Sequence, residues 1–186
     1  SNTEFIRTTE ERHKISVKKM IKRVDENCDI YKGEYKGLYC VSDETFVPDN
    51  SVLEGNKCPH CGKDLIEVKE NSYFFKLSKY QDRLLKYIEE NPDFILPSYR
   101  KNEVVSFINQ GLQDLSISRT TFNWGIPLEL EEGHVIYVWF DDLTNYITVA
   151  GFGDDAKKFD EIWIYGKVMQ LMGKDILRFY AIIWPA

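Results

Sequence analysis

Apolar residues fall at helical spacing in some stretches of this chain and at strand spacing or in short runs in others. Within residues 3–30, Val17, Met20, Ile21, Val24 and Cys28 line one stripe of a helix, and Thr8 with Glu11 has the spacing of a capping box. From Tyr31 to about Val68 the texture changes. Gly33, Gly37, Gly55 and Gly62 punctuate short apolar segments at 35–40 and 65–68, which predict small antiparallel strands around a knuckle, with a further strand at 72–77. Ser78 with Gln81 predicts a helix start, Leu84, Leu85 and Ile88 its inner face, and Asn91-Pro92 its stop. A second helix is expected from about Ser98 to Gln110, closed by Gly111. Extended segments are expected at 115–119 and 124–127.

Two stretches near the C-terminus carry the fold class. Residues 134–141, His-Val-Ile-Tyr-Val-Trp-Phe-Asp, form a continuous apolar run, the pattern of a strand covered on both faces of a parallel sheet. A helix carrying Tyr146 follows. Residues 168–172 predict a second buried strand, broken by Gly173-Lys174-Asp175, and a helix in which Ile176, Tyr180, Ile183 and Trp184 share one face. A glycine turn between a strand and a helix is where open α/β sheets bind ligands. The expected architecture is α/β, an incomplete parallel-sheet unit interrupted by a small β-rich insertion with helices.

Composition narrows the function. The 186 residues are 43% hydrophobic, enough for a globular core. Lys plus Arg number 24 against 30 Asp plus Glu, a net charge of −6, which excludes gripping nucleic acid by bulk charge but allows a local basic face. Lys18, Lys19, Lys22 and Arg23 form one such cluster, read first as a solvated face and second as a nucleic-acid contact. No run of about 18 apolar residues predicts a membrane span. Four cysteines, two of them in Cys58-Pro59-His60-Cys61, suggest metal in a reducing compartment, and so the cytoplasm.

Cys58, Cys61 and Gly62 match a zinc-binding turn whose backbone N–H groups point at sulfur, and Cys40-Val41-Ser42-Asp43 repeats the spacing with a carboxylate in the fourth position. The candidate structural site is Cys40, Asp43, Cys58 and Cys61, with His60 or Cys28 as substitutes for Asp43; a metal-free knuckle held by packing is the plainer alternative. Trp139, Tyr146, Ile176, Tyr180 and Trp184, brought to neighbouring strand-to-helix corners, would enclose an aromatic slot with Gly173 and Asp175 at its lip. Such a slot suits a polarizable thioether, with sulfur–aromatic contacts of about 0.3–1.5 kcal/mol. Ordinary core packing is the alternative.

A resemblance adds to this. The ordered motifs Phe5-Ile6-Arg7-Thr8-Thr9-Glu10, Gly37-Leu38-Tyr39-Cys40, Cys58-Pro59-His60-Cys61-Gly62, Ser78-Lys79-Tyr80-Gln81 and Asn91-Pro92-Asp93-Phe94-Ile95 run through the chain. Asp114-Leu115-Ser116-Ile117-Ser118-Arg119, Tyr137-Val138-Trp139-Phe140-Asp141 and Gly173-Lys174-Asp175-Ile176-Leu177-Arg178-Phe179 complete the set. In these the chain resembles methionyl-tRNA synthetases, class I aminoacyl-tRNA synthetases. The resemblance implies a Rossmann catalytic domain at 1–30 and 124–186, and between them, at 31–123, a connective peptide with its zinc knuckle at 40–61. It implies methionine activation by ATP, assisted by Mg²⁺, and transfer to the acceptor end of tRNA(Met); neither DNA nor a membrane is implied as a partner. Val138, Trp139, Tyr146, Ile176, Tyr180 and Trp184 would then line the methionine pocket, Gly173 and Asp175 would meet the adenosine ribose and amino-acid head, and Arg119 would stand at the rim. Three positions depart from the family pattern: Tyr180 stands in place of His, Asp142 in place of a small residue, and Val168-Met169-Gln170 in place of Asp-Val-His. The family's His-Ile-Gly-His and Lys-Met-Ser-Lys-Ser motifs do not occur in these residues, so the chain is expected to be an internal piece that forms no methionyl-adenylate alone. A free-standing knuckle module holding a tRNA acceptor end without catalysis is the rival expectation.

Overall fold

The computed structural model describes residues 3–42, 45–47, 51–121 and 123–186. Helix α1 (Glu11–Glu26) buries Val17 and Ile21, the centre of the expected stripe, while Cys28 lies past the helix end with φ +59. Its start is not a Thr8 capping box. Glu10 is the N-cap, and its carboxylate instead accepts the Arg7 N–H and pairs with Arg12.

The main sheet is antiparallel, ordered β2-β1-β3-β4, from β1 (Ile30–Cys40), β2 (Thr45–Val47), β3 (Ile66–Phe75) and β4 (Leu115–Ser116). β1 and β3 pair without interruption from Ile30↔Phe75 to Tyr39↔Ile66, so the segments expected at 65–68 and 72–77 are largely one strand. A 3₁₀ turn (Leu77–Tyr80) leads into α2 (Gln81–Glu90), and α3 (Ser98–Ile108) follows, ending at Gly111 with φ +97. Leu84, Ile88, Val104 and Ile108 face the same core as Val17, Ile21, Phe75 and Ile117. A second, separate cluster holds only Cys40, Val47, Cys58 and Leu65 as buried members. No helix among the described residues is long and apolar enough to cross a membrane.

The C-terminal third departs from expectation. β5 (Ser118–Arg119) pairs antiparallel with β6 (Val135–Ile136), which also bonds to Ile126, and there the strand ends. Tyr137 turns the chain into α4 (Val138–Leu143) and α5 (Asn145–Val149), so the run at 134–141 is half strand and half helix. Only Val135 and Ile136 find ladder partners; an aromatic run without edges on both sides coils against the core, as tertiary context overrides strand propensity. α6 (Ala156–Phe159) and a π-helical turn (Asp160–Ile164) follow. Residues 168–172 form no strand, with Met169 and Leu171 77% and 89% exposed, where a buried strand was expected. The sheets among the described residues are antiparallel, and no parallel pairing occurs in them.

The last helix starts as a 3₁₀ turn (Lys174–Ile176) and ends as a π-helical turn (Phe179–Ile183), with the Trp184 N–H donating to the Phe179 carbonyl at 2.9 Å. The wider turn rotates the buried face. Tyr180, Ala181 and Ile182 are inside, instead of an Ile176–Tyr180–Ile183–Trp184 stripe.

Candidate functional site

Three groups of side chains carry chemistry. At the knuckle, β1 delivers Cys40 as its last residue, and the turn at 58–61 delivers the other two cysteines. The three Sγ atoms lie within 4.8 Å of one another, and Cys40 Sγ is 3.3 Å from Cys61 Sγ. Cys40 and Cys58 are fully buried, and the His60 N–H donates to Cys58 Sγ at 3.4 Å. Gly62, with φ +71, closes the turn through its N–H on the Cys58 carbonyl. Three converging thiols with an N–H···S bond fit a thiophilic ion such as zinc. Asp43 lies outside the described residues. Cys28 stands apart at the end of α1, and His60 contributes only its backbone to the group.

The second group is aromatic. Trp139 on α4 stacks on Phe179, with ring centroids 4.0 Å apart and planes at 13°. Tyr146 on α5 donates its hydroxyl to Tyr180 Oη at 2.9 Å, the rings edge to face. The segments at 137–146 and 173–180 thus meet. Trp184 turns elsewhere, packing edge-on to Trp163 and lining a cavity of about 280 Å³ together with Met20, Val24, Phe140 and Leu143. Val138 is 55% exposed and Ile176 half-buried. Gly173 and Asp175 are exposed; a Cβ on Gly173 would meet nothing within 4 Å, leaving open space for a ligand beside the backbone. Phe179, which does the stacking, was not singled out as a site residue in the sequence.

Carboxylates border these rings. Burial, followed by the neighbouring Asp142 charge, pushes the Asp141 carboxyl up to about 7. Burial also raises the Tyr180 hydroxyl, reinforced by its hydrogen bond with Tyr146. His13 on α1 is buried, its Nδ1 3.3 Å from Thr148 Oγ1; burial lowers its pKa, against the opposing pull of Asp142 and Glu10. Asp141 titrates where a proton can be held or lost near neutrality, which no local spacing announces.

Arg119 anchors the third group, at the junction of the two sheets. It is buried, stacks over the Tyr137 ring at 4.1 Å, and donates through Nη1 to Ser116 Oγ and the Ser118 carbonyl, both at 2.7 Å. Glu70 Oε1 stands 4.0 Å from its Nε and has no hydrogen-bond partner among the described residues. Ser72 Oγ bonds to both Ser116 Oγ and Ser118 Oγ, and Ser118 Oγ lies 3.0 Å from His134 Nδ1. Because Tyr137 is the N-cap of α4, Arg119 is coupled to the helix that carries Trp139. The basic cluster on α1 is instead largely neutralised: Lys18 pairs with Glu129 at 2.9 Å, Lys22 with Glu26 at 3.9 Å, and Lys19 sits over the Phe152 ring.

Comparison with known proteins places these groups in context. The family model described as tRNA synthetases class I (M) matches residues 1–67 and 63–186. The chain is 64% identical over 182 residues to a methionine–tRNA ligase of Fusobacterium nucleatum, covering 98% of this chain and 29% of that protein. It is 49% identical over 189 residues to one from Thermotoga maritima, covering 100% of this chain and 30% of that protein. Among solved structures, Mycobacterium tuberculosis methionyl-tRNA synthetase bound by methionyl-adenylate superposes with a TM-score of 0.89 at 43% identity, over all of this chain and 37% of that one. The chain therefore spans less than a third of the length of these curated relatives.

Proposed function

The chain belongs to the class I tRNA synthetases of the M type, and from that premise we propose that it is part of a methionine–tRNA ligase. The reaction is ATP-dependent activation of methionine to methionyl-adenylate, with Mg²⁺ accompanying the nucleotide, followed by transfer to the acceptor end of tRNA(Met). The observation that carries this reading is the meeting of the segments at 137–146 and 173–180, Trp139 on Phe179 and Tyr146 on Tyr180, beside the open backbone at Gly173–Asp175. A structure of 43% identity and the same fold holds methionyl-adenylate.

In this reading Trp139, Tyr146 and Tyr180, with Val138, Ile176 and Trp184, surround the methionine side chain, whose thioether gains from aromatic contact. Gly173 leaves room for the adenosine ribose, and Asp175 accepts hydrogen bonds from it or from the amino-acid ammonium. Arg119, held over Tyr137, stands at the rim and offers positive charge to phosphate or carboxylate. Residues 1–30 and 124–186 form part of the Rossmann catalytic domain, and 31–123 is the connective peptide. Cys40, Cys58 and Cys61, with Asp43 as fourth ligand, would hold zinc. That ion's contribution is structural: it ties the end of β1 to the knuckle turn.

Thermal unfolding of this chain in rising L-methionine tests the pocket. Binding at 100 times Kd stabilises the fold by about 2.7 kcal/mol. We expect a melting shift that grows with methionine and is lost in Trp139→Ala, while leucine gives none. No methionine-dependent shift in the wild-type chain refutes the pocket assignment.

A further inference from the structure

Solvent reaches the knuckle cysteines unequally, and that inequality gives them a chemistry beyond holding an ion. Cys61 is exposed, whereas Cys40 and Cys58 are fully buried. An oxidant arriving from solvent therefore meets the Cys61 sulfur first. Behind it lies Cys40, at an Sγ–Sγ distance of 3.3 Å. That is about 1.3 Å longer than a disulfide bond.

Regular backbone fixes both partners at this distance. Cys40 closes β1, in register with Thr45 of β2. On the other side the Cys58 N–H donates to the Lys63 carbonyl at 2.8 Å and the Gly62 N–H to the Cys58 carbonyl at 2.9 Å, closing a turn that contains Cys61. The third sulfur is engaged differently. Cys58 Sγ accepts the His60 N–H at 3.4 Å within that turn and has no exposed surface. Cys28, also exposed, is not among the three thiols that converge.

We infer that Cys61 is a site of oxidative modification by hydrogen peroxide, resolved by Cys40 into a disulfide that displaces a thiophilic ion from the knuckle. The Cys61 sulfur attacks one peroxide oxygen, the O–O bond breaks, and the departing hydroxide leaves as water with the thiol proton, so Cys61 becomes a sulfenic acid. The Cys40 sulfur then attacks the Cys61 sulfur, the S–O bond breaks, and the hydroxyl leaves as water with the Cys40 proton. Two thiols give up two electrons, and one peroxide is reduced to two waters. Cys58 is then the one thiol left in the cluster, too few to hold such an ion. The new bond ties the end of β1 to the same turn that the ion would tie, so the knuckle stays folded, and a thiol reductant restores the site. This inference stands on the cysteine geometry and does not depend on the ligase reading.

The test treats this chain, loaded with zinc, with one equivalent of hydrogen peroxide. Zinc release is followed with a chromophoric chelator, and peptides are mapped by mass spectrometry without reduction. Release should keep pace with a Cys40–Cys61 linked peptide and a mass loss of about 2 Da, and dithiothreitol should reverse both. Cys61→Ser should slow release at least about tenfold. In Cys40→Ser, Cys61 should run on to the sulfinic acid, about 32 Da heavier. Amide exchange across residues 38–66 should stay slow in the oxidised chain, since the disulfide replaces the tie. The same mapping on the reduced, zinc-free chain reads the disulfide whether or not a variant retains metal. A Cys58–Cys61 linkage, sulfinic acid at Cys61 beside an intact Cys40 thiol, or an unreacted Cys61 overturns the inference.

Discussion

Asp141 is the residue whose chemistry depends most on where the fold puts it. Its carboxyl, raised to about 7 by burial and then by Asp142, binds a proton in the folded chain that it has already released in the unfolded chain between about pH 4 and 7. Folding is therefore favoured at the acid end of that window, and stability falls as pH rises through it, levelling above 7. The expected loss between pH 5 and pH 8 is on the order of 1–2 kcal/mol once solvent screening is allowed for. Asp141→Asn should remove that slope and be the more stable protein at pH 8; urea titrations at the two pH values read it directly. Sequence reasoning fixed on Asp142, the departure from the family pattern, and passed over Asp141. Position in a motif is local, whereas a displaced pKa is made by tertiary burial.

Elements differ in how much of them local spacing determines. The knuckle was legible because its cysteines sit on one tight turn and at one strand end: Cys40, Cys58 and Cys61 converge. The helices α1, α2 and α3 were legible through stripes such as Val17–Ile21 and Leu84–Ile88 and stops at Asn91-Pro92 and Gly111. Residues 134–141 were not. An apolar run satisfies a strand or a buried helix equally, and the choice fell to ladder partners that only Val135 and Ile136 possess. The separation of the knuckle cluster from the main core predicts how metal removal acts. Chelation with EDTA, or Cys58→Ser, should raise amide exchange across residues 38–66 by at least about tenfold, as loss of a local folding unit implies. Exchange in α1 and α3 should stay slow, because none of their core residues belongs to the knuckle cluster. Mass-spectrometric exchange of the two forms checks this.

For the molecule as a whole, the most consequential surface is the exposed apolar run near the C-terminus. Ile162, Ile164, Tyr165, Val168, Met169 and Leu171 are between 44% and 89% exposed, a patch of the kind that seeks a partner. Concentration-dependent self-association of this chain is expected, and Leu171→Glu with Met169→Lys should shift sedimentation toward the monomer; a wild-type chain monomeric at all concentrations contradicts this. The strand expected at 168–172 finds no ladder partner among the described residues. The family was legible from ordered motifs; of the residues expected to enclose the slot, Tyr146 and Tyr180 touch, while Trp139 stacks on Phe179 and Trp184 packs edge-on to Trp163. The rotation of the last helix face was not legible, because a π-helical turn breaks the 3.6-residue period on which face assignments rest.

The unbroken β1–β3 register has an evolutionary corollary. Ten consecutive pairs deliver Cys40 to the side of the sheet where Cys58 and Cys61 wait. Because strand side chains alternate, one extra residue anywhere in that ladder would swing the thiol to the opposite face. Length variation among homologues should therefore be absent from the paired residues 30–39 and 66–75.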